Sequence, residues 1–220
     1  MPILFLNFKT YKEATGKNAL KLAKIAQSVT KKTGTKIVLV VQATDIKEIS
    51  KNSSLEVFAQ HVDPIKIGSN TGFILPLALK EAGSNGTILN HAENKRSNEF
   101  IESALVEAKS VGLKVMLCAE SVYRAEQLAK FSPDFIAIEP PEPIGGDIST
   151  STAKPGIIVN AVKKIKEINP KIKVIAGAGI KTAMDSKLAL KFGCSGVFVA
   201  SSVILAKNQK LALEELIKGF

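Results

Sequence analysis

Eight short apolar runs recur along this chain: "ILFLNF" (3–8), "KIVLVV" (36–41), "LEVFAQ" (55–60), "GTILN" (86–90), "LKVMLC" (113–118), "DFIAI" (134–138), "IKVIAG" (172–177) and "SGVFVA" (195–200). They are too continuously apolar for a sheet with one wet face, and read as parallel strands buried on both sides. Helical patterns fill the intervals. Leu22, Ile25, Ala26 and Val29 form one three–four stripe, Ile101, Ala104, Leu105 and Ala108 a second, and Ile158, Ala161, Val162 and Ile165 a third. Pro155 stands where a first-turn proline is tolerated, and "INP" at 168–170 ends that third helix. Strand–helix alternation of this kind leaves a closed eight-stranded α/β barrel or an open doubly wound sheet, and the count of eight favours the (β/α)8 barrel. "GAGIKT" (177–182) lacks the third glycine of a dinucleotide fingerprint and comes at the seventh strand, so no nucleotide cofactor is expected from it. With no linker or low-complexity segment, residues 1–220 read as one domain.

Composition excludes several functions. No apolar run approaches the ~20 residues of a membrane span, and the N-terminus lacks the basic and long apolar regions of a signal peptide. Cys118 and Cys194 form no CxxC and suit buried thiols in a reducing cytoplasm. The net charge of +10 suggests an anionic partner. Only Arg96 and Arg124 are arginines, there is no Trp, and the lysines are dispersed, which argues against nucleic acid and for a small anion.

Chemistry in a barrel sits at the carboxyl ends of its strands. Strand one ends in Asn7 and Lys9, strand four in Asn90-His91, strand six in Glu139, strand seven in "GAGI" and strand eight in "ASS". Singly these have plain readings: Lys9 as surface charge, Asn7 and Glu93 as caps, His91 as a core imidazole. Glu139 resists one, because a carboxylate at the mouth of a buried strand is unfavourable unless hydrogen-bonded or functional. Together they place a base, an imidazole and a cation at one mouth. Two histidines without clustered thiols are too few for a metal site. The small residues after strands seven and eight would let backbone N–H groups approach a phosphate.

"NFKTYKEA" (7–14), "LNHAENK" (89–95), "IAIEPPEPIGG" (136–146), "GAGI" (177–180) and "VASS" (199–202), in this order and spacing, resemble the triosephosphate isomerase family in its short archaeal form. The resemblance covers essentially the whole chain. It implies a cofactor-free interconversion of dihydroxyacetone phosphate and D-glyceraldehyde 3-phosphate, in glycolysis and gluconeogenesis. By the same resemblance Glu139 is the base, His91 the neutral electrophile and Lys9 the fixed cation, with Asn7 touching substrate and Glu93 holding Lys9. The phosphate would rest on Ile144, Gly145, Gly179, Ala200 and Ser201. Pro140 and Pro141 would stiffen the hinge of a lid running to about Lys154. Thr71, in "GSNTG" (68–72), would brace a neighbouring subunit's site, implying a homo-oligomer, either tetramer or dimer.

Three positions depart from the family pattern: Gly145-Gly146-Asp147 at the lid tip in place of "GTG", Ala92 in place of a serine after the histidine, and Ser202 in place of a glycine, which asks a residue with a Cβ to adopt a glycine's backbone shape. The alternative to an isomerase is a barrel that binds a sugar phosphate without catalysis or with different specificity.

Overall fold

A computed structural model describes residues 1–140 and 155–220. Its eight strands are β1 (Ile3–Asn7), β2 (Lys36–Val41), β3 (Glu56–Ala59), β4 (Gly86–Leu89), β5 (Lys114–Ala119), β6 (Phe135–Ile138), β7 (Lys173–Ala176) and β8 (Gly196–Val199). They pair in parallel in chain order, and β8 returns to β1 to close the barrel. Around it run α1 (Lys17–Thr33), α2 (Ala43–Asn52), α3 (Pro76–Glu81), α4 (Asn98–Ser110), α5 (Val122–Ala129), α6 (Pro155–Ile168), α7 (Ala183–Lys191), α8 (Ser201–Ile204) and α9 (Gln209–Ile217). Local chemistry starts these helices where they start. Ser97 and Ser121 accept hydrogen bonds from Phe100 N–H and Arg124 N–H at the heads of α4 and α5, and Thr182 with Asp185 forms a capping box on α7. Gly34, at φ 73°, closes α1.

The alternation of side chains along each strand sorts residues into two cores. Leu4, Leu6, Leu39, Val57, Leu117 and Ile136 point outward and meet the buried helix stripes, including Leu22, Ala26 and Val29 of α1 and all four predicted positions of α4. Ile25 and Val162 lie at the edge of this layer, half-buried. Phe5, Val38, Phe58, Ile88, Met116, Phe135, Ile175 and Phe198 point inward and fill the barrel. Phe5, Phe58 and Phe135 meet edge to face, with centroids 5.2–6.2 Å apart. Each such buried ring contributes about 2 kcal/mol or more by leaving water, and edge-to-face contact adds to that. Gly86 is required for this packing, since a Cβ there would lie 2.6 Å from the Phe58 ring and 2.5 Å from the Lys114 carbonyl. Among the described residues no helix is long and apolar enough to cross a membrane.

Candidate active site

The inward set of β6 is Phe135 and Ala137, and the same period of two carries Glu139 into the mouth of the barrel. Ladder bonding continues past the strands: Glu139 N–H donates to the Ala119 carbonyl at 2.8 Å and Gly177 N–H to the Ile138 carbonyl at 2.9 Å, fixing the glutamate's backbone. Gly177 also makes room for the side chain, because a Cβ there would fall 2.5 Å from Glu139 Cγ. The Glu139 side chain is only 15% exposed. Burial pushes its pKa from the ordinary 4.5 up to about 7; the Cys118 thiol beneath it and the positive charge of Lys9 oppose the rise, and Glu93 adds to it. Oε2 is nonetheless buried without a hydrogen-bond partner among the described residues, so the thiol's influence is secondary to desolvation.

Lys9 arrives by an unusual backbone. Its φ is 46°, in the left-handed region that L-residues seldom occupy. Two side chains hold it there: Asn7 Oδ1 accepts from Lys9 N–H at 3.0 Å, and Gln60 Nε2 donates to the Lys9 carbonyl at 2.9 Å. Gln60 also donates to Asn7 Oδ1 at 3.3 Å. At the far end, Lys9 Nζ donates to Glu93 Oε1 at 2.6 Å. Glu93 is largely exposed, so this ion pair orients the lysine more than it stabilises the fold.

His91 sits between these groups. Its Nδ1 accepts from the Glu93 backbone N–H at 3.2 Å, which leaves the proton of the neutral ring on Nε2. Burial, reinforced by Lys9 and opposed by Glu93, holds its pKa below the ordinary 6.5, so the ring is neutral near pH 7. Nε2 points at Glu139 Oε1, 3.5 Å away, and the ring edge packs on Phe198 with centroids 6.3 Å apart.

These side chains line one cleft of about 270 Å³ at the carboxyl ends of the strands. Asn7, Lys9, His91, Glu93, Glu139, Gly179, Ala200 and Ser201 all face it. Gly179 has φ 68° and turns the chain between β7 and α7. Ala200 and Ser201 open α8, where first-turn N–H groups lack intrahelical partners. Thr71 is not part of the cleft wall; it lies exposed on the segment between β3 and α3. Ile144, Gly145, Asp147 and the lid expected over 140–154, apart from Pro140, lie outside the described residues. Pro140 is on the cleft wall. Among the described residues no group of three His, Cys, Asp or Glu converges as a metal site would need.

The chain as a whole has relatives. A family profile described as triosephosphate isomerase matches residues 2–219. The chain belongs to the triosephosphate isomerase family. The triosephosphate isomerase of Methanothermus fervidus is 45% identical over 216 residues, covering 98% of this chain and 97% of that one. That of Methanocaldococcus jannaschii is 41% identical over 216 residues, covering 98% and 99%. The crystal structure of triosephosphate isomerase from Bartonella henselae superposes with a TM-score of 0.76 over 97% of this chain and 98% of that chain; at 17% identity it speaks for the barrel fold alone.

Within this triosephosphate isomerase family member, one expected difficulty disappears. Ser202 stands where the family pattern expects a glycine-like backbone, yet it lies in α8 and is not among the described non-glycine residues of positive φ. Its Oγ donates to the Ile180 carbonyl at 3.1 Å, tying α8 to the turn after β7. Ala92 lines the cleft with its methyl group in place of a hydroxyl. Sequence reasoning passes over Gln60 and Gly177 as site residues. Both directly follow strands, β3 and β7, and that position is the available signal.

Proposed function

We propose that this cleft is the active site of a triosephosphate isomerase, in which Glu139 is the catalytic base. The enzyme interconverts dihydroxyacetone phosphate and D-glyceraldehyde 3-phosphate. The observation that carries the residue assignment is the pairing of a desolvated carboxylate, raised to about 7, with a neutral imidazole whose N–H faces it in the same cleft. A base near neutrality matches its proton affinity to the working pH. A glutamate base beside a neutral histidine is the arrangement already known for this enzyme family, so the pairing is a family expectation that these residues meet.

Glu139 takes a proton from C1 of dihydroxyacetone phosphate and returns it to C2, while the C1 hydroxyl gives up its proton and the C2 oxygen gains one, leaving the aldehyde at C1 and the hydroxyl at C2. His91 Nε2–H donates to the carbonyl oxygen as negative charge develops there, stabilising the enediolate without an imidazolium. Lys9, fixed by Asn7, Gln60 and Glu93, supplies positive charge to the oxyanion and the phosphate. Backbone N–H groups of Gly179, Ala200 and Ser201 receive the phosphate, and the family resemblance adds those of Ile144 and Gly145, which lie outside the described residues. Thr71 reaches a neighbouring subunit in a homo-oligomer, dimer or tetramer, and the free, buried Cys118 and Cys194 suit the cytoplasm.

A coupled assay on dihydroxyacetone phosphate and on glyceraldehyde 3-phosphate tests the reading. Turnover in both directions without added metal or cofactor supports it. Phosphate binding without turnover would leave a sugar-phosphate-binding barrel instead.

A further inference from the structure

The bend that presents His91 is not made by a glycine. Asn90, directly after β4, has φ 60° and is 4% exposed. Asparagine tolerates the left-handed region better than most residues, which would account for its backbone but not for what its amide does. Oδ1 accepts from Arg96 N–H at 3.0 Å, and Nδ2 donates to the Cys118 carbonyl at 2.9 Å.

The first bond closes the segment 90–96 into a ring. Inside that ring Asn94 N–H donates to the His91 carbonyl at 2.8 Å and Glu93 N–H donates to His91 Nδ1 at 3.2 Å. The second bond fastens the ring to β5. The next carbonyl along β5, Ala119, accepts the backbone N–H of Glu139. One buried amide therefore links the carrier of the imidazole to the strand against which the carboxylate is hung.

We propose that Asn90 is a positioning residue for the isomerase reaction: its amide closes the 90–96 segment so that Glu93 N–H meets His91 Nδ1, and ties that segment to β5 so that the imidazole and Glu139 keep their separation. The proposal rests on the isomerase reading of the cleft. It differs from a purely conformational role, in which any residue at ease with positive φ would serve.

Asn90→Gly separates the two, since glycine keeps the backbone and removes both amide bonds. With His61 as internal reference among the protein's two histidines, 15N shifts of the rings report the tautomer directly. In Asn90→Gly, the His91 nitrogens should move from a fixed Nε2–H pattern toward an average of the two tautomers, while those of His61 stay put. In the coupled assay kcat should fall about 10- to 100-fold, the scale of a small misplacement at a reacting centre, with KM changed less than about threefold. Wild-type His91 shifts, or wild-type kcat, in Asn90→Gly would overturn the proposal. If that variant does not fold, Asn90→Asp keeps the acceptor for Arg96 N–H and must keep the fixed Nε2–H pattern; averaged shifts there overturn it equally. A wild-type enzyme with no turnover would remove the isomerase reading, and the ring shifts would still judge whether Asn90 sets the tautomer.

Discussion

His91 Nε2 and Glu139 Oε1 face each other across 3.5 Å, at the outer limit of hydrogen-bond distance, so neither group is locked by the other. One is held neutral and the other is raised to about 7, and burial is the principal cause of both shifts. The protein thus keeps the imidazole uncharged before substrate arrives and leaves the carboxyl poised to exchange its proton near neutrality.

Removing the base should abolish chemistry without emptying the site. Glu139→Gln keeps the shape of the side chain while exchanging one carboxylate oxygen for a non-basic NH2, and turnover should fall at least about 10²-fold, the low end of general-base contributions. Competition by inorganic phosphate, followed by thermal shift, should be unchanged. Undiminished turnover would remove Glu139 from its assigned role.

The raised carboxyl predicts a pH profile and a stability trend of opposite sense. Catalysis needs the ionised form, so kcat/KM should drop about tenfold per pH unit well below 7, once ionisation of the substrate phosphate near 6 is allowed for. For stability, a carboxyl raised from 4.5 to about 7 binds its proton more tightly folded than unfolded. Its contribution is therefore full below the unfolded value and declines as pH rises through the folded one. Glu139→Gln should thus unfold at higher urea than wild type at about pH 8, by up to roughly 3 kcal/mol, and the difference should shrink toward about pH 5. A gap independent of pH would contradict the raised carboxyl.

Gly177→Ala should injure the site through the base's neighbour. The new methyl group would collide with Glu139 Cγ and lie 3.2 Å from the Ile138 carbonyl. Overpacking of this kind costs about 1–3 kcal/mol, and displacement of the carboxylate should lower kcat about 10²-fold. Urea unfolding and the coupled assay read the two effects separately, and wild-type kcat would mean that the glutamate has room to spare.

Gln60→Ala should act on Lys9, directly and through Asn7, to whose Oδ1 Gln60 also donates. Loss of the bond to the Lys9 carbonyl frees a residue already at positive φ, at a stability cost of about 1–2 kcal/mol. KM for the triose phosphate should rise more than kcat falls, because the lysine's charge serves the bound phosphate as well as the oxyanion. An effect confined to stability would show that Asn7 is enough to hold the loop.

The architecture was legible because each strand is buried on both faces and so leaves a continuous apolar run. The runs at 36–41 and 113–118 correspond to β2 and β5, the latter displaced by a single residue. Glu139, His91 and Lys9 were legible because polar residues at the ends of such runs stand out. Gln60 did not stand out, and Gly177 did so only as the first residue of the "GAGI" turn, not as the neighbour that makes room for Glu139. Gln60 matters through Lys9, on another strand, and Gly177 through Glu139 beside it, so both roles depend on which side chains the closed barrel sets next to each other. Asn90 was visible in the sequence, but its φ and the two bonds of its amide were not. The Ser202 expectation failed because a family glycine does not prove that the backbone there is left-handed in this chain.

The interlocked rings of Phe5, Phe58 and Phe135 have a consequence for traffic. Among the described residues they fill the cylinder, so a small molecule seated between Lys9 and Glu139 meets packed side chains inside the barrel and has its way out at the mouth. Whatever narrows that mouth therefore bears on arrival and exit alike.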